Sequence, residues 1–237
     1  MQRIGWIGVG IMGKSMARNL MKRGYEVHIY ARHPEKTADI VAEGAVFHDT
    51  IGGCVRASEV VITMVGFPQD VEEVYFTPGN ILDSAAKGTV LIDMTTTSPT
   101  LARRIAQEGF ARGLRVLDAP VTGGAGGAKA GTLSILAGGS RADFDECLPI
   151  FQAMGTNIAY FGPAGCGQHA KMANQIMVAG ALSGVCEALE DVREKKRALR
   201  AIMRQQTERE FSFTDEQASS CAVFCLTCGE FSAKRHE

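Results

Sequence analysis

The sequence of 237 residues contains no apolar run approaching the roughly 18 residues that a membrane span requires. Its first strand-like stretch, Ile4 to Val9, is too short and lacks the flanks of a signal peptide. A cytoplasmic protein, unexported and off the membrane, is therefore expected. An excess of charge of one sign is missing too: 25 Lys and Arg stand against 26 Asp and Glu, for a net charge of −1. This balance excludes an acidic disordered chain and a basic nucleic-acid binder. A disulfide framework is also absent, because the seven cysteines are odd in number and scattered at 54, 147, 166, 186, 221, 225 and 228. Free thiols in a reducing compartment fit that pattern. The late group Cys221, Cys225 and Cys228, with His236 nearby, lacks the paired C-x-x-C spacing of structural zinc sites, so no metal is expected.

Two residue types disappear part-way along the chain. Beyond Glu190 there is no proline and a single glycine, Gly229, although the whole chain has 7 Pro and 27 Gly. Residues 191–237 read as a compositionally different segment. Before it, from Met1 to Tyr160, short apolar β-branched runs alternate with longer amphipathic stretches, the βαβ signature of a parallel sheet covered by helices. The fold class expected is α/β: a Rossmann-like, doubly wound, mostly parallel sheet, followed by a long helix and a reduced all-helical C-terminal part. Strands are placed at 4–9, 26–30, 59–65, 89–93, 115–118, 133–137 and 157–160. Their uninterrupted apolar character predicts burial on both faces. Helical spacing occupies 13–23, 36–43, 70–75, 99–112 and 141–153. Ser98-Pro99 sets a cap residue before a first-turn proline, and Gly24, Gly44 and Gly113 sit where helices stop. After the Gly- and Pro-rich break at 162–167, one long helix is expected from about Gln168 to Glu190 and beyond. The expected domains are thus 1–162 and 163–237, the second diverging from about residue 191.

Gly8-Val9-Gly10-Ile11-Met12-Gly13 satisfies G-x-G-x-x-G between the first strand and a helix. In that context Gly8 allows the tight turn, Gly10 lets a pyrophosphate approach backbone N–H groups, and Gly13 permits close helix–strand packing. The helix N-terminus adds partial positive charge. About 20 residues on, an acid would accept hydrogen bonds from a ribose 2′-hydroxyl. The chain has Ala31-Arg32-His33 there instead, placing a guanidinium where a 2′-phosphate would sit. NADP is the expected cofactor, with NAD possible.

Three further segments carry chemistry. Asp118-Ala119-Pro120-Val121-Thr122-Gly123-Gly124 follows a strand end, and side-chain-poor backbone beside a hydroxyl suits a carboxylate; a loop without ligand reads equally well from these residues alone. Lys171 and Asn174 stand three apart near the start of the long helix, on one face. A lysine beside the small apolar residues there would lose hydration and have its pKa lowered, which suits proton transfer. Met residues read mostly as core filler, and His28, His33, His48 and His169 lack partners at ligand spacing.

Together the Gly8–Gly13 loop, the Asp118–Gly124 run and Gly165-x-Gly167-x-x-x-Lys171-x-x-Asn174 resemble the β-hydroxyacid dehydrogenase family, over some 190 residues. The resemblance implies a Rossmann domain joined by a long helix to a helical domain. It implies Lys171 as general acid/base, Thr122, Gly123 and Gly124 as the substrate-carboxylate site, and Asn174 as a substrate hydrogen-bonding partner. Val65 and Gly66 match the loop that lies along the dinucleotide, where the family usually has Leu-Pro, and Thr96 matches the contact to the nicotinamide. A hydride transfer between NADP(H) and a small 3-hydroxy acid or its semialdehyde is the implied reaction, in a homo-oligomer. The family's later helices have no recognisable counterpart here, so a frame change or aberrant junction near residue 190, giving a truncated member, is expected. A dinucleotide-binding scaffold without turnover is the alternative. An imine reductase is a third, set against Lys171, which those relatives replace.

Overall fold

Alternating apolar strands and amphipathic helices build the first part of the computed structural model, which describes residues 2–188 and, beyond them, 192, 193, 196, 197, 200, 214 and 215. Cys221, Cys225, Cys228 and His236 lie outside the described residues. The chain divides into two compact units, Met1–Met172 and Ala173–Glu237.

In the first unit the elements run β1 (Arg3–Ile7), α1 (Ile11–Lys22), β2 (Glu26–Tyr30), α2 (Ala38–Ala42), β3 (Val46–Phe47), α3 (Ile51–Arg56) and β4 (Val60–Thr63). They continue with α4 (Pro68–Phe76), α5 (Ile81–Ser84), β5 (Val90–Asp93), α6 (Pro99–Ala111), β6 (Arg115–Asp118) and β7 (Val121–Thr122). Then come α7 (Gly124–Ala130), β8 (Leu133–Gly139), α8 (Arg141–Met154), β9 (Gly155–Tyr160) and α9 (Cys166–Ala188), whose residues from Ala173 onward belong to the second unit.

The strands form one path, β3-β2-β1-β4-β5-β6-β8-β7, with β9 added to β8. The first six in that path are parallel and follow the order 3-2-1-4-5-6 of doubly wound dinucleotide-binding sheets. Period-two alternation sends Ile4, Trp6, Val60, Ile62, Val90 and Ile92 into one core and Ile7, Val61 and Leu91 into the other. That is why the central runs are apolar throughout: β4 and β5 are buried at every position. Ser98 caps α6 by accepting from the Leu101 N–H, with Pro99 in the first turn, and Gly24, Gly44 and Gly113 adopt positive φ after α1, α2 and α6.

The sheet is mostly parallel, as expected: β8 runs antiparallel to β6 and β7, and β9 pairs parallel with β8. Other expectations need correction. The stretch 157–160 is not buried on both faces: among the described residues β9 pairs with β8 alone, and its Thr156 and Asn157 are exposed. The strands β3 and β7 are two residues long, too short for a pattern, and α3, α5 and α7 are extra short helices. Glycine is a poor helix former, and α3 (IGGCVR) and α7 (GAGGAKA) read as loops by propensity alone.

Candidate active site

The strand order reverses between β1 and β4, and in open α/β sheets ligands bind at the carboxyl ends of the strands at such a point. A cleft of about 530 Å³ lies there, walled by Gly8 to Gly13 after β1, by Tyr30, Ala31, Arg32, His33 and Lys36 after β2, and by Met64, Val65 and Gly66 after β4. All ten sequence-predicted dinucleotide residues other than Thr96 meet in this one cleft. The glycines divide their work by geometry. Gly8 has φ +104°, and a Cβ there would lie 2.2 Å from the Met64 carbonyl oxygen; one on Gly13 would lie 2.1 Å from the Gly8 oxygen. These two positions must be glycine for the turn to exist. A Cβ on Gly10 would meet no protein atom within 4 Å, so its emptiness serves no internal packing. Trp6 locks the turn by donating its indole N–H to the Gly8 oxygen at 3.0 Å. Open amides at the start of a twelve-residue helix, with no acid in its first turn, fit the diphosphate of a dinucleotide.

Beyond β2 the Arg32 guanidinium is held at the cleft wall. Its Nη2 donates to Asp70 Oδ1 at 2.6 Å and to Glu73 Oε2 at 3.0 Å, both on α4. Asp70 is itself pinned, because its other oxygen accepts from the Phe67 N–H at the start of α4.

Lys171 stands in the second turn of α9, and the start of that helix is anchored by a carboxylate from the sheet. Asp118, at the end of β6, accepts from the Gly165 N–H at 2.7 Å and from the Gln168 N–H at 2.9 Å. This replaces the missing intrahelical partners of the first turn. The approach is close: a Cβ on Gly167 would lie 2.3 Å from the Leu136 oxygen and 2.6 Å from the Asp118 oxygen. The G-x-G spacing before the lysine thus has a packing cause. Lys171 is 7% exposed, and its ammonium makes no hydrogen bond among the described residues. Burial pushes its pKa below the ordinary lysine value, enlarging the neutral fraction that can accept a proton.

The remaining residues lie outside the walls of the cleft. Thr96 is exposed between buried Thr95 and Thr97, in the turn that follows β5. Thr95 ties this turn to the cleft by accepting from the Val65 N–H at 3.0 Å. Thr122 is half-buried, and Gly123 (φ +125°) and Gly124 (φ +62°) are exposed at the start of α7, a helix where a loop was the competing expectation. Asn174 belongs to the second unit and is half-buried; its Oδ1 is buried without a partner among the described residues.

Residues 3–162 match the NAD binding domain of 6-phosphogluconate dehydrogenase. The chain belongs to the β-hydroxyacid dehydrogenase family. It is 50% identical over 186 residues to the "Uncharacterized oxidoreductase YkwC" of Bacillus subtilis, covering 78% of this chain and 65% of that protein. It is 40% identical over 189 residues to the 3-hydroxyisobutyrate dehydrogenase of Pseudomonas aeruginosa, 80% of this chain and 63% of that one. It therefore spans less than two thirds of the length of these curated relatives. Among solved structures, Mycobacterium tuberculosis 3-hydroxyisobutyrate dehydrogenase with L-serine superposes with a TM-score of 0.77 at 30% identity, covering 88% of this chain and 72% of that one.

Within this β-hydroxyacid dehydrogenase domain, sequence reasoning overlooked two polar residues. Gln168 is wholly buried and bridges α9 to the Thr95–Thr97 turn. Asp93, at the end of β5, accepts from Thr63 Oγ1 at 2.8 Å and the Thr95 N–H at 3.1 Å, and burial pushes its carboxyl up to about 6. Polar residues in otherwise apolar strand and helix ends are the signal that marks both. Among the described residues no group of three or more His, Cys, Asp or Glu forms a metal site, and no helix is long and apolar enough to cross a membrane.

Proposed function

We propose that this chain carries the catalytic half of an oxidoreductase that moves a hydride between NADP(H) and a small 3-hydroxy acid or its semialdehyde. The observation that carries this reading is the partly desolvated lysine at the start of α9, on a helix locked to the turn bordering a dinucleotide-type cleft. A bound nicotinamide dinucleotide supplies the hydride donor or acceptor. The protein supplies alignment and proton handling. The Gly8–Gly13 amides hold the diphosphate, and Arg32 turns toward a 2′-phosphate, with Lys36 as a second cation on the same wall. Thr122, Gly123 and Gly124 receive the substrate carboxylate. Neutral Lys171 takes the hydroxyl proton in the oxidative direction, and its ammonium returns a proton to the developing alkoxide in the reductive one.

The test is turnover of the full chain with a panel of 3-hydroxy acids and NADP+, followed by formation of the reduced nicotinamide. Lys171→Ala should lower kcat by roughly 10²–10⁴-fold while leaving NADPH binding intact. Full turnover in the variant would overturn the assignment of Lys171. Saturable NADPH binding without turnover in the wild-type chain would favour the scaffold reading.

A further inference from the structure

Three segments converge beneath the turn that carries Thr96, and one side chain joins them. Gln168 is 0% exposed. Its Nε2 donates to the Thr95 oxygen at 2.8 Å, its Oε1 accepts from the Thr97 N–H at 2.9 Å, and its own backbone N–H donates to Asp118 Oδ2. We propose that Gln168 is a positioning residue: its amide grips the backbone on both sides of Thr96 and so sets the separation between the nicotinamide turn and Lys171. This rests on the catalytic reading of Lys171 given above.

The chemistry of the amide suits the task. A planar group offering one donor and one acceptor pairs with a carbonyl and an N–H two residues apart, as a neighbouring strand would. Glutamate at this position loses the donor, and leucine loses both, leaving the Thr95 oxygen and Thr97 N–H buried and unpaired. The grip also explains the alternation of exposure in the turn. With Thr95 and Thr97 held inward, Thr96 faces outward. Thr95 passes the constraint on, since its hydroxyl accepts from the Val65 N–H in the cleft wall and its own N–H donates to Asp93. Lys171 lies one turn of helix beyond Gln168, on the same face. The cleft wall, the nicotinamide turn and the helix that carries the lysine are thereby linked by three hydrogen bonds that pass through Thr95, Gln168 and Thr97.

The test reads the lysine directly, without turnover. Amine labelling of the apo full chain across a pH series, resolved by peptide mass spectrometry, gives the midpoint at which Lys171 becomes reactive. The wild-type midpoint should lie below that of the exposed lysines in the same sample. In Gln168→Leu it should rise by roughly half a pH unit or more as water reaches the amine, and NADPH affinity should fall by roughly threefold or more as Thr95 loosens. Asn19→Ala removes a buried hydrogen bond to the Ala128 oxygen elsewhere in the same unit and should leave both readings unchanged. An unchanged Lys171 midpoint in a folded Gln168→Leu chain, or an equal shift in Asn19→Ala, would overturn the proposal. Should Gln168→Leu fail to fold, the wild-type Thr97 amide decides: hydrogen exchange as slow as that of β5 supports the clamp, and exchange at the rate of an open turn refutes it. A Lys171→Ala chain with full turnover would remove the catalytic reading while leaving these clamp measurements as they stand.

Discussion

Arg32 stands where an acid would bind a ribose hydroxyl, and its partners define what a 2′-phosphate has to displace. One nitrogen is shared between Asp70 and Glu73. With both carboxylates this corner carries a local charge of −1, so a 2′-phosphate gains Arg32 only as the guanidinium turns away from Asp70 and Glu73. Arg32→Ala should weaken NADPH by roughly tenfold or more and NADH far less. An unchanged preference in competitive titrations would place cofactor choice elsewhere. Asp93 makes a second residue-scale prediction, this time about pH. Its folded pKa of about 6 lies above the ordinary 3.8, so the native state holds this proton more tightly than the unfolded chain. Its contribution to stability is complete below about pH 4 and is lost as pH rises through about 6, on the order of 3 kcal/mol in all. Asp93→Asn cannot lose a proton, and its amide oxygen still accepts from the Thr95 N–H. Urea midpoints measured from pH 4 to 7 should therefore fall less steeply in the variant than in the wild type. Parallel profiles would contradict this account of Asp93.

At the scale of elements, the start of α9 depends on a cap borrowed from β6. Asp118 is buried, and burial raises its pKa against the opposing pull of the Gly165 and Gln168 amides. Asp118→Ala leaves both amides without their acceptor and should destabilise the chain by about 2 kcal/mol or more. The accompanying sign is faster hydrogen exchange at Gly165 and Gln168, with the β4 and β5 amides unaffected at low denaturant. Equal exchange in both proteins would show that the cap is not needed. Much of the architecture is legible in the sequence, because strands β1, β4 and β5 are buried on both faces and so appear as continuous apolar runs. The glycine loop was legible for the same reason: Gly8 and Gly13 are forced by contact distances that only glycine tolerates. What escaped were elements defined by contacts across the fold. α7 is a helix of small residues packed on α1, and β7 exists only through its pairing with β8. Gln168 and Asp118 escaped as partners because their bonds span 47 to 73 residues of sequence.

The molecule as a whole is one dinucleotide-type α/β unit and a second unit that begins within α9. Its family membership is carried by residues 3–162, and the match to curated relatives covers 78–80% of the chain but 63–65% of theirs. The reaction proposed for it therefore rests on the first unit, with Lys171 and Gln168 both inside that unit. Among the described residues the buried thiols of Cys54 and Cys147 are pushed up to about 12 by burial, which keeps them inert at neutral pH. The central claim concerns the bare amides between β1 and α1. Gly10 has φ −79°, a conformation alanine adopts without strain, and its Cβ would enter open space rather than protein. The decisive measurement is a fluorescence titration of NADPH into the wild-type chain and Gly10→Ala, with thermal unfolding of both in the absence of ligand. The account predicts one saturable site per wild-type chain, affinity weakened by roughly tenfold or more in Gly10→Ala, and coincident melting curves. Equal affinity in the two proteins, or no saturable binding to the wild type, would contradict it.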